Sequence, residues 1–93
     1  MLKNDINYKG LLRCNTVDID SAAEEYHKKN ISEAIIEPSP NGNGWHVLFH
    51  KTDGDMVTLT DHGGHEKLYH TLDHATEVLQ SAGIKTIRVE EHF

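Results

Sequence analysis

The segment from Trp45 to Thr60 constrains the fold more than any other part of the chain. In Trp45 to His50 the side chains alternate, with Trp45, Val47 and Phe49 on one side and His46, Leu48 and His50 on the other. This is the period-two pattern of a strand with two unlike faces. Thr52, Asp53, Gly54 and Asp55 follow, and Asp-Gly between alternating apolar runs is the strongest short hairpin signal, because the tight turns that match strand twist need positive φ. Met56 to Thr60 resumes the alternation, with Val57 and Leu59 sharing a face. An apolar sheet face of this kind needs a second layer to cover it.

The flanking sequence supplies that layer. Asp18, Asp20 or Ser21 can cap a helix in which Ile19, Ala22, Ala23 and Tyr26 recur at helical spacing, ending near Asn30. Ile31 to Glu37 is β-branched and stops at Pro38, which cannot donate to a ladder. Asp61, His62, Gly63 and Gly64 predict a second tight turn, with Glu66 to His70 returning as a fourth strand. Thr71 caps a second helix whose apolar stripe is Leu72, Ala75, Val78, Leu79 and Ala82, stopped by Gly83 with Ile84 as its hydrophobic partner. Lys85 to Glu91 alternates again and, being charged, suits a sheet edge. The expectation is an α+β fold in one domain, residues 1–93: a helix, a four-stranded antiparallel meander, a helix and a final edge strand, with both helices on one sheet face. Residues 1–17, with Leu11, Leu12 and Val17, form either a short strand or an irregular N-terminal arm.

Composition narrows the function classes. Lys plus Arg is 9 against Asp plus Glu 15, a net charge of -6, which disfavours nucleic acids and anionic membranes as partners, since both draw affinity from basic surfaces. Hydrophobic residues make up 37% of the 93, a thin core that self-association would strengthen. No apolar run approaches the roughly 20 residues of a membrane span. Met1 to Asn7 is polar and lacks the apolar core of a secretory signal, so a cytoplasmic location is expected. Cys14 is the single cysteine, which leaves no internal disulfide and no cysteine-based zinc site.

Eight histidines are the compositional oddity, because protonating all of them would carry the balance from -6 to +2. His62, His65, His70 and His74, with Asp61 or Asp73, are the candidate ligands for zinc or nickel, although His70 precedes the second helix and does not share its i, i+4 face with His74. His46 and His50 should face outward if Trp45, Val47 and Phe49 face the core. His46 is then the candidate general base of an RNA-cleaving site, following the Gly42-Asn43-Gly44 loop on a solvent face. Trp45, Phe49 and Tyr69 could stack bases, but the same spacing describes one inward strand face. Asp53, Asp55, Asp61, Glu66, Asp73 and Glu77 form the raw material of an acidic patch for a basic partner.

Residues 44–84, GWHVLFHKTDGDMVTLTDHGGHEKLYHTLDHATEVLQSAGI, resemble small accessory proteins carried on plasmids, phages and integrative elements, in which an Asp-Gly hairpin leads to a Thr-Leu-Asp helix closing in Gly-Ile. The chain also resembles HicA-type messenger-RNA interferases with a double-stranded-RNA-binding-like fold. That resemblance implies catalysis by His46 ahead of Asp53-Gly54, although Gly44-Trp45 stands where the interferases carry Gly-Ser. Without a nucleotide loop or a Rossmann glycine pattern, the leading expectation is a small acidic, non-enzymatic protein-interaction or regulatory module. It would need no cofactor, would meet a protein partner of basic character, and would form a homodimer through the last strand. A HicA-like ribonuclease using His46 is the alternative, and histidine-based metal binding the third.

Overall fold

The hairpin read from the sequence is the middle of a larger sheet. The computed structural model describes residues 16–40 and 44–91; Cys14, His92, the Gly42-Asn43 part of the loop and the arm before Thr16 lie outside them. The elements run β1 (Thr16–Val17), α1 (Ile19–His27), β2 (Ile31–Pro38), β3 (Trp45–Lys51), β4 (Met56–Leu59), β5 (Leu68–Tyr69), α2 (Leu72–Ser81) and β6 (Ile87–Val89). The sheet order is β1-β4-β3-β2-β6, with β5 also on β3.

Local chemistry explains where the helices begin and end. Asp18 has extended backbone and accepts the Ser21 N–H at 2.8 Å, capping α1. Of the three candidate caps, the first in sequence is used. Lys29 then turns the chain at φ 66°, so the helix stops before the expected Asn30. Thr71 caps α2 by accepting the His74 N–H at 3.0 Å. Gly83, at φ 86°, ends it, and the Ile84 N–H donates to the Leu79 carbonyl at 3.0 Å.

The core lies on one face of the sheet. Ala34 and Ile36 of β2 stand opposite Phe49 and Val47 of β3, and these four join Ala22 of α1 and Ala75 and Leu79 of α2 in one buried cluster. Both helices therefore cover the same face, as the alternation predicts. A bulge between Ile31 and Glu33 resets the register of β2, so that Ile31 and Ala34 both reach the core.

The expected four-stranded meander is corrected in its second half. β4 ends opposite β3, pairing Thr58 with Leu48, and β5 continues along the same side of β3, pairing Leu68 with His46 and Tyr69 with Trp45. The two short strands are one interrupted strand, and residues 60–67 are an excursion from it. An isolated Thr60–Glu66 bridge and the Asp61 N–H to His65 carbonyl bond at 2.8 Å close the excursion at its base. The cause is a length mismatch: seven-residue β3 outruns four-residue β4, so its first half is left for β5. Close approach is possible because Gly44 lacks a side chain, since a Cβ there would sit 2.6 Å from the Tyr69 carbonyl oxygen. The other addition is β1, which runs parallel to β4 in a region where the sequence allowed either a strand or an arm. β6 takes the edge position expected of the last strand and runs parallel to β2, which makes the sheet mixed.

Leu79 is fully buried, so Leu79→Ala should cost about 2–5 kcal/mol by urea denaturation. Thr71→Ala should cost about 1 kcal/mol through the lost cap. Met56→Ala, on an exposed side chain, should stay within about 0.5 kcal/mol.

Candidate functional site

The face of the sheet away from the helices carries the chemistry. Register places Glu37 beside His46, Ile35 beside Leu48 and Glu33 beside His50 across β2 and β3, with Arg88 of β6 next to Ile35. Ile35 is 4% exposed and Leu48 half-buried, an apolar centre ringed by charged and imidazole side chains. The Arg88 guanidinium donates to Glu33 at 3.0 Å and to Glu90, just past the end of β6. His50 Nδ1 stands 3.6 Å from Glu33. Among the described residues, no helix packs on this face.

His46 is on the expected face, but it does not look outward as His50 does. It is 6% exposed, with Nδ1 2.7 Å from a Glu66 oxygen and Nε2 2.8 Å from a Glu37 oxygen. Two hydrogen bonds between these three groups require two protons. They are held either as an imidazolium between two carboxylates or as a neutral imidazole bonded to one carboxylate and one carboxylic acid. Both forms carry one net negative charge. The register of β2 and β3 supplies Glu37, and the excursion between β4 and β5 supplies Glu66. With both nitrogens bonded to glutamates, neither is open to a substrate hydroxyl, a condition that general base catalysis requires.

The four candidate metal ligands are placed separately. His62 lies 3.3 Å from Asp18 and 3.7 Å from Asp20 at the start of α1. His65 is 3.6 Å from Asp61 within the excursion, His70 is exposed after β5, and His74 meets the Tyr69 ring edge-on with centroids 5.3 Å apart. Among the described residues, no three His, Cys, Asp or Glu side chains form a group that could hold a metal ion. No helix among them is long and apolar enough to cross a membrane.

Asp61 organises the excursion. Its Oδ1 accepts the Gly63 N–H at 2.9 Å and the His65 N–H at 3.0 Å, and the His65 N–H, followed by that of Gly63, holds the carboxyl below the usual aspartate value. Asp18 is lowered chiefly by the Ser21 backbone N–H that it caps. Burial pushes the Tyr69 phenol up. The aromatic residues belong to the helix-covered side: Phe49 is fully buried, Tyr69 is 5% exposed, and Trp45 packs against the same cluster. They are core, not a stacking platform. The acidic residues divide among the β3–β4 turn (Asp53, Asp55), the excursion (Asp61, Glu66) and α2 (Asp73, Glu77).

Sequence reasoning missed Glu33, Glu37, Glu90 and Arg88 as members of the site. Simple alternation puts Glu33, Ile35 and Glu37 on one strand face, but only the bulge between Ile31 and Glu33 sets that face apart from the core residue Ile31, and only register brings the two glutamates beside His50 and His46. No protein-family model matches the chain, and no curated protein matches it.

Removing the imidazole leaves two glutamates facing one another across a gap, so His46→Ala should destabilise the fold by about 2 kcal/mol or more in urea denaturation. Asp61 has a lowered folded-state value, so its stabilising effect is complete above the unfolded value and fades as pH falls through the folded one. The melting-temperature gap between wild type and Asp61→Asn should therefore be widest near neutral pH and should close as the pH drops below about 4. A gap that stays constant on acidification would contradict this account of Asp61.

Proposed function

We propose that the protein is a small acidic interaction module, regulatory and not enzymatic, which receives a basic protein partner on the open face of its sheet. The observation that supports this reading best is the treatment of His46. The residue with the strongest claim to chemistry is enclosed by Glu37 and Glu66, and both of its nitrogens are bonded. With the Glu37–His46–Glu66 cluster at one net negative charge, Glu33 and Glu90 leave the face acidic against Arg88, its one arginine or lysine among the described residues. Such a surface attracts a cationic partner and speeds its encounter, and the effect weakens with salt. Half-buried Leu48, backed by buried Ile35, supplies an apolar point within the polar rim that surrounds most protein interfaces. The resemblance of residues 44–84 to accessory proteins of mobile elements agrees with a role in binding another protein.

The test is affinity capture from the host with the chain as bait. Wild type should retain a basic protein at low salt and release it at high salt. Glu33→Gln combined with Glu37→Gln, which keeps hydrogen-bond acceptors and removes charge, should lose the partner, while Asp53→Asn with Asp55→Asn in the turn should keep it. The HicA-like ribonuclease reading makes the opposite demand. Overexpression that arrests growth and degrades transcripts, with both effects abolished by His46→Ala at a temperature where that variant is folded, would overturn the module in favour of the enzyme.

A further inference from the structure

The outer side of β6 is an edge that the rest of the described chain leaves open. Its inner side is fixed by the parallel ladder with β2, in which the Ala34 N–H donates to the Thr86 carbonyl and the Glu90 N–H to the Ile36 carbonyl, both at 2.9 Å. With Thr86, Arg88 and Glu90 turned inward, the backbone N–H and C=O groups of Ile87 and Val89 point away from the sheet. Among the described residues, β6 has no neighbour beyond it. Val89 is 40% exposed, one of two large apolar side chains so placed among the described residues. Edge strands with bare polar groups and an exposed apolar side chain are templates for adding another strand.

We infer that this edge pairs with β6 of a second copy of the chain, antiparallel about a two-fold axis, in the register that sets Val89 opposite its own equivalent. Only residues with outward-pointing backbone groups can face one another in hydrogen-bonded pairs, so the register moves in steps of two residues. Charge decides among the steps. With Val89 opposite Val89 of the second copy, Arg88 stands opposite Glu90 of that copy and Glu90 opposite its Arg88. The two-fold axis thus yields two reciprocal ion pairs in close non-hydrogen-bonded positions on the open face. One step away, Ile87 faces Val89 and the two Arg88 side chains meet head-on, a like-charge pair. In the step beyond, Ile87 faces itself, Arg88 faces Thr86 and Val89 faces Lys85, so no opposite charges are joined and the valine is not covered by another. Arg88 already lies between Glu33 and Glu90 within its own chain, so its guanidinium is held on the face where the second copy's carboxylate would arrive. Isologous pairing of this kind closes as a dimer and consumes both edges, leaving no β6 edge for further growth.

Sedimentation equilibrium of the purified chain over micromolar to millimolar concentration should show a reversible monomer–dimer equilibrium. Glu90→Arg should weaken it about tenfold, and adding Arg88→Glu should recover most of the loss. Thermal melts of each variant will separate unfolding from dissociation. Register is read by disulfide trapping in a Cys14→Ser background. Arg88→Cys mixed with Glu90→Cys should cross-link on oxidation, since paired positions in this register fall within disulfide reach, whereas Arg88→Cys alone should not. A chain that stays monomeric throughout overturns the dimer. Cross-linking of Arg88→Cys to itself, or a folded charge swap that fails to recover association, overturns the register. None of these measurements involves the basic partner, so the two proposals stand or fall separately.

Discussion

A slip of one residue between β2 and β3 would turn every side chain of one strand to the opposite face, and nearly everything else in the molecule depends on that not happening. The pairing of Ile36 with Val47 and Ala34 with Phe49 gives both helices a continuous apolar floor. The same pairing sets Glu37 against His46 and Glu33 against His50 on the reverse. Two devices hold the register. The bulge after Ile31 brings two core residues onto one side despite an even count between them, and the turn at Gly54, with φ 100°, fixes where β4 returns.

The enclosed histidine illustrates how a polar cluster can serve specificity in a thin core. Bringing an imidazole and two carboxylates together is costly unless every partner is satisfied. Here the two ring nitrogens meet two glutamates from unrelated segments, one next to Pro38 and one in the excursion. The cluster therefore fastens residues 60–67 onto the sheet and defines where β5 must dock, because only one placement of Glu66 completes the set. Apolar contacts in the same place would tolerate sliding; directed hydrogen bonds do not.

Local patterns were legible wherever one element decided the outcome. The stripe of α2, its Thr71 cap and Gly83 stop, the Asp-Gly hairpin and the inward side of Trp45, Val47 and Phe49 follow from spacing alone. The misreadings arose where two distant segments decide together. Asp61-His62-Gly63-Gly64 is a genuine turn, but whether a turn reverses a strand or only detours from it depends on how much of β3 is left unpaired. Alternation puts His46 on the correct face and in the wrong environment. Alternation says which way a side chain leaves the backbone, and nothing about a carboxylate arriving from twenty residues later. The edge position of β6 could be anticipated from its charges, whereas its parallel pairing with β2 could not.

That parallel pairing sets the order in which the molecule can be completed. β2 gains its antiparallel neighbour as soon as β3 is made, but its other side waits for residues 87–89. During synthesis on the ribosome, the hairpin and both helices can form while β2 still shows a bare margin, and the sheet is finished only by a segment made much later. Long-range closure of this kind slows folding. It also leaves nascent chains in one polysome open to pairing with each other before they can pair with themselves.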